Sequence, residues 1–292
     1  MMLWYGLVVS FVISFYIAWS IGANDETMAV LAGSGFTSIG IAALIGAGMD
    51  LLGAVLLGYK IEETLGRGIV AAEIHLSDAL TLLLAVALWL TVASLRGWPV
   101  STTHALVGAL IGLGVSRWGF DGVNWGGLYG VMAGWVLSPM AGFAIAYALT
   151  RAFGRLFMRR IRNLPGRLRL SRASSILLLA WSSVSSFFRG ANDVGNATAF
   201  LSLIYGSPVL VRFMAGLGMA LGLIVLGRRV IKSVGLTLVE LTPDLAMIAQ
   251  IAVASAMSVG TWLGLPLSGT HVLVAAIAGI GTARGTWINY RG

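Results

Sequence analysis

The sequence predicts an all-α integral membrane protein made of two inverted-topology repeats with broken helices and hairpins. Three observations carry that prediction. First, the 292 residues are 58% hydrophobic and only 10% charged, with mean hydropathy +0.91, whereas soluble domains carry about 25% charged residues. Second, two polar motifs each occur twice in the same order. Gly22-Ala23-Asn24-Asp25 returns as Gly190-Ala191-Asn192-Asp193, and Pro99-Val100-Ser101-Thr102-Thr103-His104 returns as Pro266-Leu267-Ser268-Gly269-Thr270-His271. The copies lie 168 and 167 residues apart. Third, the apolar segments of the first half give an odd number of crossings, so the second half enters from the opposite side.

The segments follow in order. A hydrocarbon core of about 30 Å needs about 20 helical residues. The stretch 4–34 is too long for one straight span and holds Asn24, Asp25 and Glu26 inside it, so a broken helix is expected there. Lys60 is the first basic residue. The N-terminal stretch therefore lacks the charged start of a signal peptide and reads as a retained helix. Spans follow at about 38–58 and 79–97, then 100–115 and 126–150. The second half repeats the pattern at about 174–205, 208–227, 243–263 and 267–283, without a clear match for 126–150. Segments 100–115 and 267–283 are short and follow a proline, so they read as half-helices or second arms of hairpins. Whether each proline pair is a re-entrant hairpin or two crossings stays open. Glycines support the alignment: Gly53, Gly58 and Gly66 match Gly222, Gly227 and Gly235.

The expected domains are residues 1–150 and 173–292, joined by a basic connector at 151–172. Eight arginines fall in that connector, from Arg151 to Arg172. This is the charge pattern of a cytoplasmic loop. It accounts for the net charge of +8 without a nucleic-acid partner and puts the N-terminus outside. The Arg228, Arg229, Lys232 cluster then falls inside, and the charge-balanced Lys60, Glu62, Glu63, Arg67 group falls outside. The chain has no cysteine, which excludes disulfides and thiolate metal sites. No cofactor is expected.

Duplicated polar breaks in apolar helices are how many transporters place a site near the membrane midplane. Asp25 and Asp193 are carboxylates in apolar stretches, and such acids usually line a pathway or cavity. With opened carbonyls and the amides of Asn24 and Asn192, they suit a hard cation such as Na+; a carboxylate alone could carry a proton. The alternative is a helix cap at a kink. The proline motifs place Ser101, Thr102, Thr103, Ser268, Gly269 and Thr270 at helix starts. There, hydroxyls, free N–H groups and the positive dipole end favour an anion. Two such ends facing each other suit a tetrahedral oxyanion. Simple N-capping is again the alternative. Arg96 could approach the anion or mark the wet edge of a hairpin. His104 and His271 are expected to hydrogen-bond backbone near the break rather than hold a metal. Asp50, matched by Met219, is a candidate coupling residue, and Gln250 a candidate cavity amide. Glu62, Glu63, Glu73 and Asp78 are expected to be solvated.

At these residues the chain resembles the inorganic phosphate transporter family, the Pit-type symporters. The run Gly190–Ala197 and the run Pro99–Gly112 are similar to that family's repeats, and the likeness covers both halves. The resemblance implies an inverted-repeat fold, often a homodimer, in the plasma membrane. It implies phosphate uptake driven by Na+ or H+. It also implies that Asn24, Asp25, Asn192, Asp193 and the Ser/Thr positions at 101–103, 268 and 270 line the substrate and cation sites. The family usually has a second asparagine four residues after the first. Asn196 keeps it, whereas Met28 replaces it in the first copy, where Glu26 could supply a compensating carboxylate. Family members often have glutamate at the positions of Asp50 and Gln250. The rival readings are a sulfate or other tetrahedral-oxyanion permease, an ion channel, and, weakest, an intramembrane enzyme using Ser101/His104 or Ser268/His271.

Overall fold

Thirteen α-helices carry the chain among the residues described in the computed structural model, which are 2–96, 101–158, 160–161, 163–233 and 242–285. Pro99, Val100, Arg159, Arg162 and Gly235 lie outside them. In the first half the helices are α1 (Met2–Ala23), α2 (Ala29–Gly33), α3 (Ile39–Leu57), α4 (Tyr59–Arg67), α5 (Leu76–Leu95), α6 (Thr102–Trp118) and α7 (Trp125–Phe153). The second half has α8 (Leu164–Asp193), α9 (Gly195–Ile204), α10 (Pro208–Gly222), α11 (Arg228–Ser233), α12 (Pro243–Trp262) and α13 (Gly269–Arg284). Among the described residues, five helical stretches are long and apolar enough to cross a membrane, beginning at Trp4, Ile39, Trp125, Pro208 and Pro243.

Local chemistry sets the helix starts. Ser38 accepts the Ile41 N–H at the start of α3, and Asn124 accepts the Gly127 N–H at the start of α7. Asn163 accepts from Gly166 just ahead of α8, whose first turn carries Pro165. Each side chain satisfies a donor that the helix cannot, and proline's missing N–H does no harm there.

The first half and the second pack reciprocally. Helix α1 lies on α10, and α3 lies on α8. A β-carbon at Gly22 would overlap the Met219 carbonyl, and one at Gly190 would overlap that of Asp50. Gly53 meets the Phe187 carbonyl in the same way, and Gly222 that of Trp19. Each contact in this set is matched by another whose two residues are both shifted by 168 or 169 positions, so the duplicated glycines bring backbone against backbone. Two apolar cores surround this centre. One gathers residues such as Ile17, Leu65, Leu83, Leu106 and Phe200, the other Met28, Leu178, Leu223, Ile248 and Leu273.

The structure adds one feature and corrects two expectations. The 151–172 connector is mostly helical: α7 runs to Phe153, a π-helical turn covers Gly154–Met158, and α8 begins at Leu164. Its start is capped as just described, which carries the helix straight out of the basic stretch. Glu62 and Asp78 are buried rather than solvated. Each carboxylate has gained an arginine, which is what makes its burial tolerable. Glu62 lies 2.7 Å from Arg212 and accepts from Ser202, while Asp78 lies 2.7 Å from Arg117. Glu63 and Glu73 are exposed. The two Asn-Asp segments also differ. The chain is non-helical at residues 24–28 in the first half, but the second is interrupted only at Val194, whose backbone stays right-handed helical.

Candidate functional site

Helix α1 ends because its last turn tightens. The Asn24 and Asp25 N–H groups bond to Ile21 and Gly22, three residues back. The Asp25 carboxylate then accepts the Thr27 N–H at 2.7 Å, an Asx-turn that holds the chain away from helix. Asp25, Glu26 and Thr27 are thereby carried into the interior, all buried. Asn24 is not. It is exposed, and its amide donates to Ser20 of its own helix.

In the second half, Asp193 remains on α8, and one turn earlier on the same face stands Arg189. Its guanidinium is the hub of the interior. It lies 3.0 Å from Asp25, 2.7 Å from Glu26 and 3.1 Å from Asp193, and all four groups are buried. It also donates to the Thr27 hydroxyl at 3.0 Å. Two nitrogens reach the two oxygens of Glu26, at 2.7 and 3.3 Å, the forked geometry that suits arginine to carboxylates. Asp50 sits beside Asp25 on α3. It is fully buried and accepts from Ser186 at 2.6 Å, with its second oxygen unbonded. Gln250 on α12 donates to the Thr27 carbonyl at 2.8 Å, and its own carbonyl oxygen is likewise unbonded. Glu26, Thr27, Ser185, Arg189, Gln250 and Gly269 line a cavity of about 10 Å³, room for about one water molecule.

The proline-motif helices close on this cluster. Thr270, in the first turn of α13, donates to Glu26 at 2.7 Å. Gly269 lies against Arg189: a β-carbon there would be 3.6 Å from the arginine Cδ. Asn192 donates to Thr261 and the Leu265 carbonyl and accepts the Leu267 N–H at 2.9 Å. It thus fixes the non-helical approach to α13. Asn196 donates to Thr103 at 3.1 Å, and Thr103 reaches the Leu267 carbonyl at 3.4 Å, joining the start of α6 to the same segment. Ser101 caps α6 by accepting the His104 N–H. Ser268 occupies the same place on α13, half-buried, without a capping bond from its side chain. Thr102 is half-buried.

The structure therefore brings Asp25, Glu26 and Asp193 onto Arg189, with Asp50 beside Asp25 and Thr270 bonded to Glu26. Asn192, Asn196 and Thr103 form an adjoining buried network. Asn24 and Arg96 are exposed, Arg96 at the C-terminal end of α5. His104 stacks on Trp135 at 3.8 Å between ring centres and meets His271 edge-on at 5.6 Å, with a buried, unbonded Nδ1. That is ring packing instead of the expected backbone hydrogen bond. His104, His271, Ser101 and Trp89 line a wider pocket of about 500 Å³.

Sequence reasoning missed Arg189, the central residue. A signal was present: a lone arginine closing an apolar stretch, four residues before Asp193. Helical residues at that spacing share a face, and an ionisable residue in a membrane segment marks a functional position with a nearby partner. It was hidden because the duplicated motif begins one residue later, at Gly190.

Comparison with known proteins gives this arrangement a context. The chain is 29% identical to a candidate phosphate permease of Thermococcus kodakarensis, over 96% of this chain and 89% of that one. It is 28% identical to inorganic phosphate transporter 2-1, chloroplastic, of Arabidopsis thaliana, over 93% of this chain and 65% of that one. Among solved structures it matches one described as the sodium-dependent phosphate transporter. That match has a TM-score of 0.86 and 26% identity and covers 96% of this chain and 90% of the other. The profile of the phosphate transporter family matches residues 21–291, nearly the whole chain, so this protein belongs to the phosphate transporter family.

Proposed function

We propose that the chain is a symporter that moves inorganic phosphate across the membrane together with Na+ or H+. One observation carries the coupling: three buried carboxyl groups, Asp25, Glu26 and Asp193, contact a single arginine, and a fourth, Asp50, lies beside Asp25. A phosphate bearing one to two negative charges cannot approach them in a low-dielectric interior without added positive charge. Cations bound with the phosphate offset that repulsion, and each ligand's binding then depends on the other. The unbonded oxygens of Asp50, Gln250 and Asn196 are acceptors in want of a cation or proton. The helix starts at Ser101–Thr103 and Ser268–Thr270 supply hydroxyls and N–H groups for the anion. Opposed repeats rocking about this centre would expose it to each side in turn.

Proteoliposomes with Na+ and pH gradients imposed separately test the reading. Labelled phosphate should accumulate with at least one of the two gradients and fail to accumulate with neither. Accumulation indifferent to both gradients would refute the coupling. Competition by sulfate as strong as that by unlabelled phosphate would favour the wider oxyanion permease.

A further inference from the structure

Two charges at the centre have no counterpart in the other copy. Arg189 corresponds to Ile21, and Glu26 corresponds to Val194. They are also each other's partner, held by two hydrogen bonds at 2.7 and 3.3 Å. The pair adds one positive and one negative charge, so it leaves the net charge of the duplicated aspartates unchanged. What it changes is the space between them. The guanidinium lies within 3.1 Å of both Asp25 and Asp193, the position a single cation shared by the two would take. Among the described residues, no three His, Asp, Glu or Cys side chains converge closely enough to hold a metal ion. The third asymmetry fits the same account. Thr102 of the first copy is replaced by Gly269, where a β-carbon would lie in ordinary contact with Arg189, 3.6 Å from its Cδ.

We infer that Arg189 is a tethered counter-cation: it permanently fills the cation position between Asp25 and Asp193, so these two aspartates bind no travelling ion. A guanidinium neither leaves its site nor loses its proton in proteins. Glu26 keeps the charge balance and fixes the orientation of the fork. The ions that travel with phosphate are then taken up at neighbouring acceptors, the unbonded oxygens of Asp50, Gln250 and Asn196. The inference rests on the symport reading and narrows which of its acids are coupled.

The test exchanges each charge for the residue of the opposite copy, Glu26→Val with Arg189→Ile, and uses Glu26→Gln with Arg189→Gln as a gentler pair if the first folds poorly. Thermal melting of purified protein is compared in sodium and in choline chloride, without phosphate. The double variant should gain at least about 2 °C more from sodium than the unaltered protein does, as a newly opened site binds the ion. In proteoliposomes, its Na+ to phosphate flux ratio should rise by one. An unaltered sodium response in melting would overturn the inference. The melting comparison needs no transport, so it stands apart from the symport reading. That reading fails on its own if the unaltered protein accumulates no phosphate.

Discussion

The two Asn-Asp segments began as copies and now do different work. In the first, the helix opens over residues 24–28, Asn24 turns out, and three acidic side chains (Asp25, Glu26 and, from α3, Asp50) converge inside. In the second, the helix barely pauses at Val194, and the interior receives a guanidinium, one carboxylate and two bonded amides, Asn192 and Asn196. The glycine contacts that join the halves are reciprocal, while the side chains they enclose are not. Duplication here supplies a symmetric frame, and complementary charge is then divided across it. An asymmetric site can be built this way because a substitution in one copy can be answered in the other.

The sharpest challenge to this division is to neutralise the shared aspartates one at a time. Asp25→Asn and Asp193→Asn should each reduce gradient-driven phosphate uptake to background while the protein still inserts. Normal uptake by either variant would show that its charge is not needed beside Arg189. Next in size is stability. Arg189→Met alone leaves buried carboxylates unpaired and should cost about 3–5 kcal/mol, read as a large fall in melting temperature in detergent. Adding Glu26→Gln should restore part of it, since directly paired groups couple by about 0.5–3 kcal/mol. Strictly additive losses would mean that the two charges are not a unit. The smallest effects contrast the asparagines. Asn192→Ala should cost about 1–3 kcal/mol, because it strips partners from the Leu265 carbonyl and the Leu267 N–H. Asn24→Ala, exposed, should fall within about 0.5 kcal/mol. Equal losses would restore the symmetry of the two copies.

Much of the frame was legible in the sequence. Hydropathy located most of the long helices to within a few residues, though α8 begins at Leu164, ten residues before the apolar span expected from 174, and the Gly-Ala-Asn-Asp and Pro-Ser-Thr motifs marked where polar groups enter. Residues paired over long separations were not legible. Glu62 and Arg212 lie 150 residues apart, and Glu26 and Arg189 lie 163 apart. Neither member of such a pair reveals burial alone, because the pattern around an exposed glutamate and around a paired one is the same. Asn24 shows the converse limit: an identical motif in both copies did not guarantee an identical orientation, since the path of the backbone after the motif decides it. Met28 belongs to the same lesson. Where the second copy has the bonded amide of Asn196, Met28 is fully buried among apolar neighbours and lies against Gly46.

The reciprocal glycine contacts have a further consequence for synthesis. Gly22 meets Met219 and Gly53 meets Phe187, residues that leave the ribosome long afterwards. At about 5–20 residues per second, the first half waits roughly 10–40 s for the surfaces it was made to touch. Throughout that time its backbone-lined grooves and its cluster of acids stand open, without the arginine that later sits among them. The nascent first half is therefore an unfinished object, which needs lipid, a chaperone or the insertion machinery to shelter it until the second half arrives.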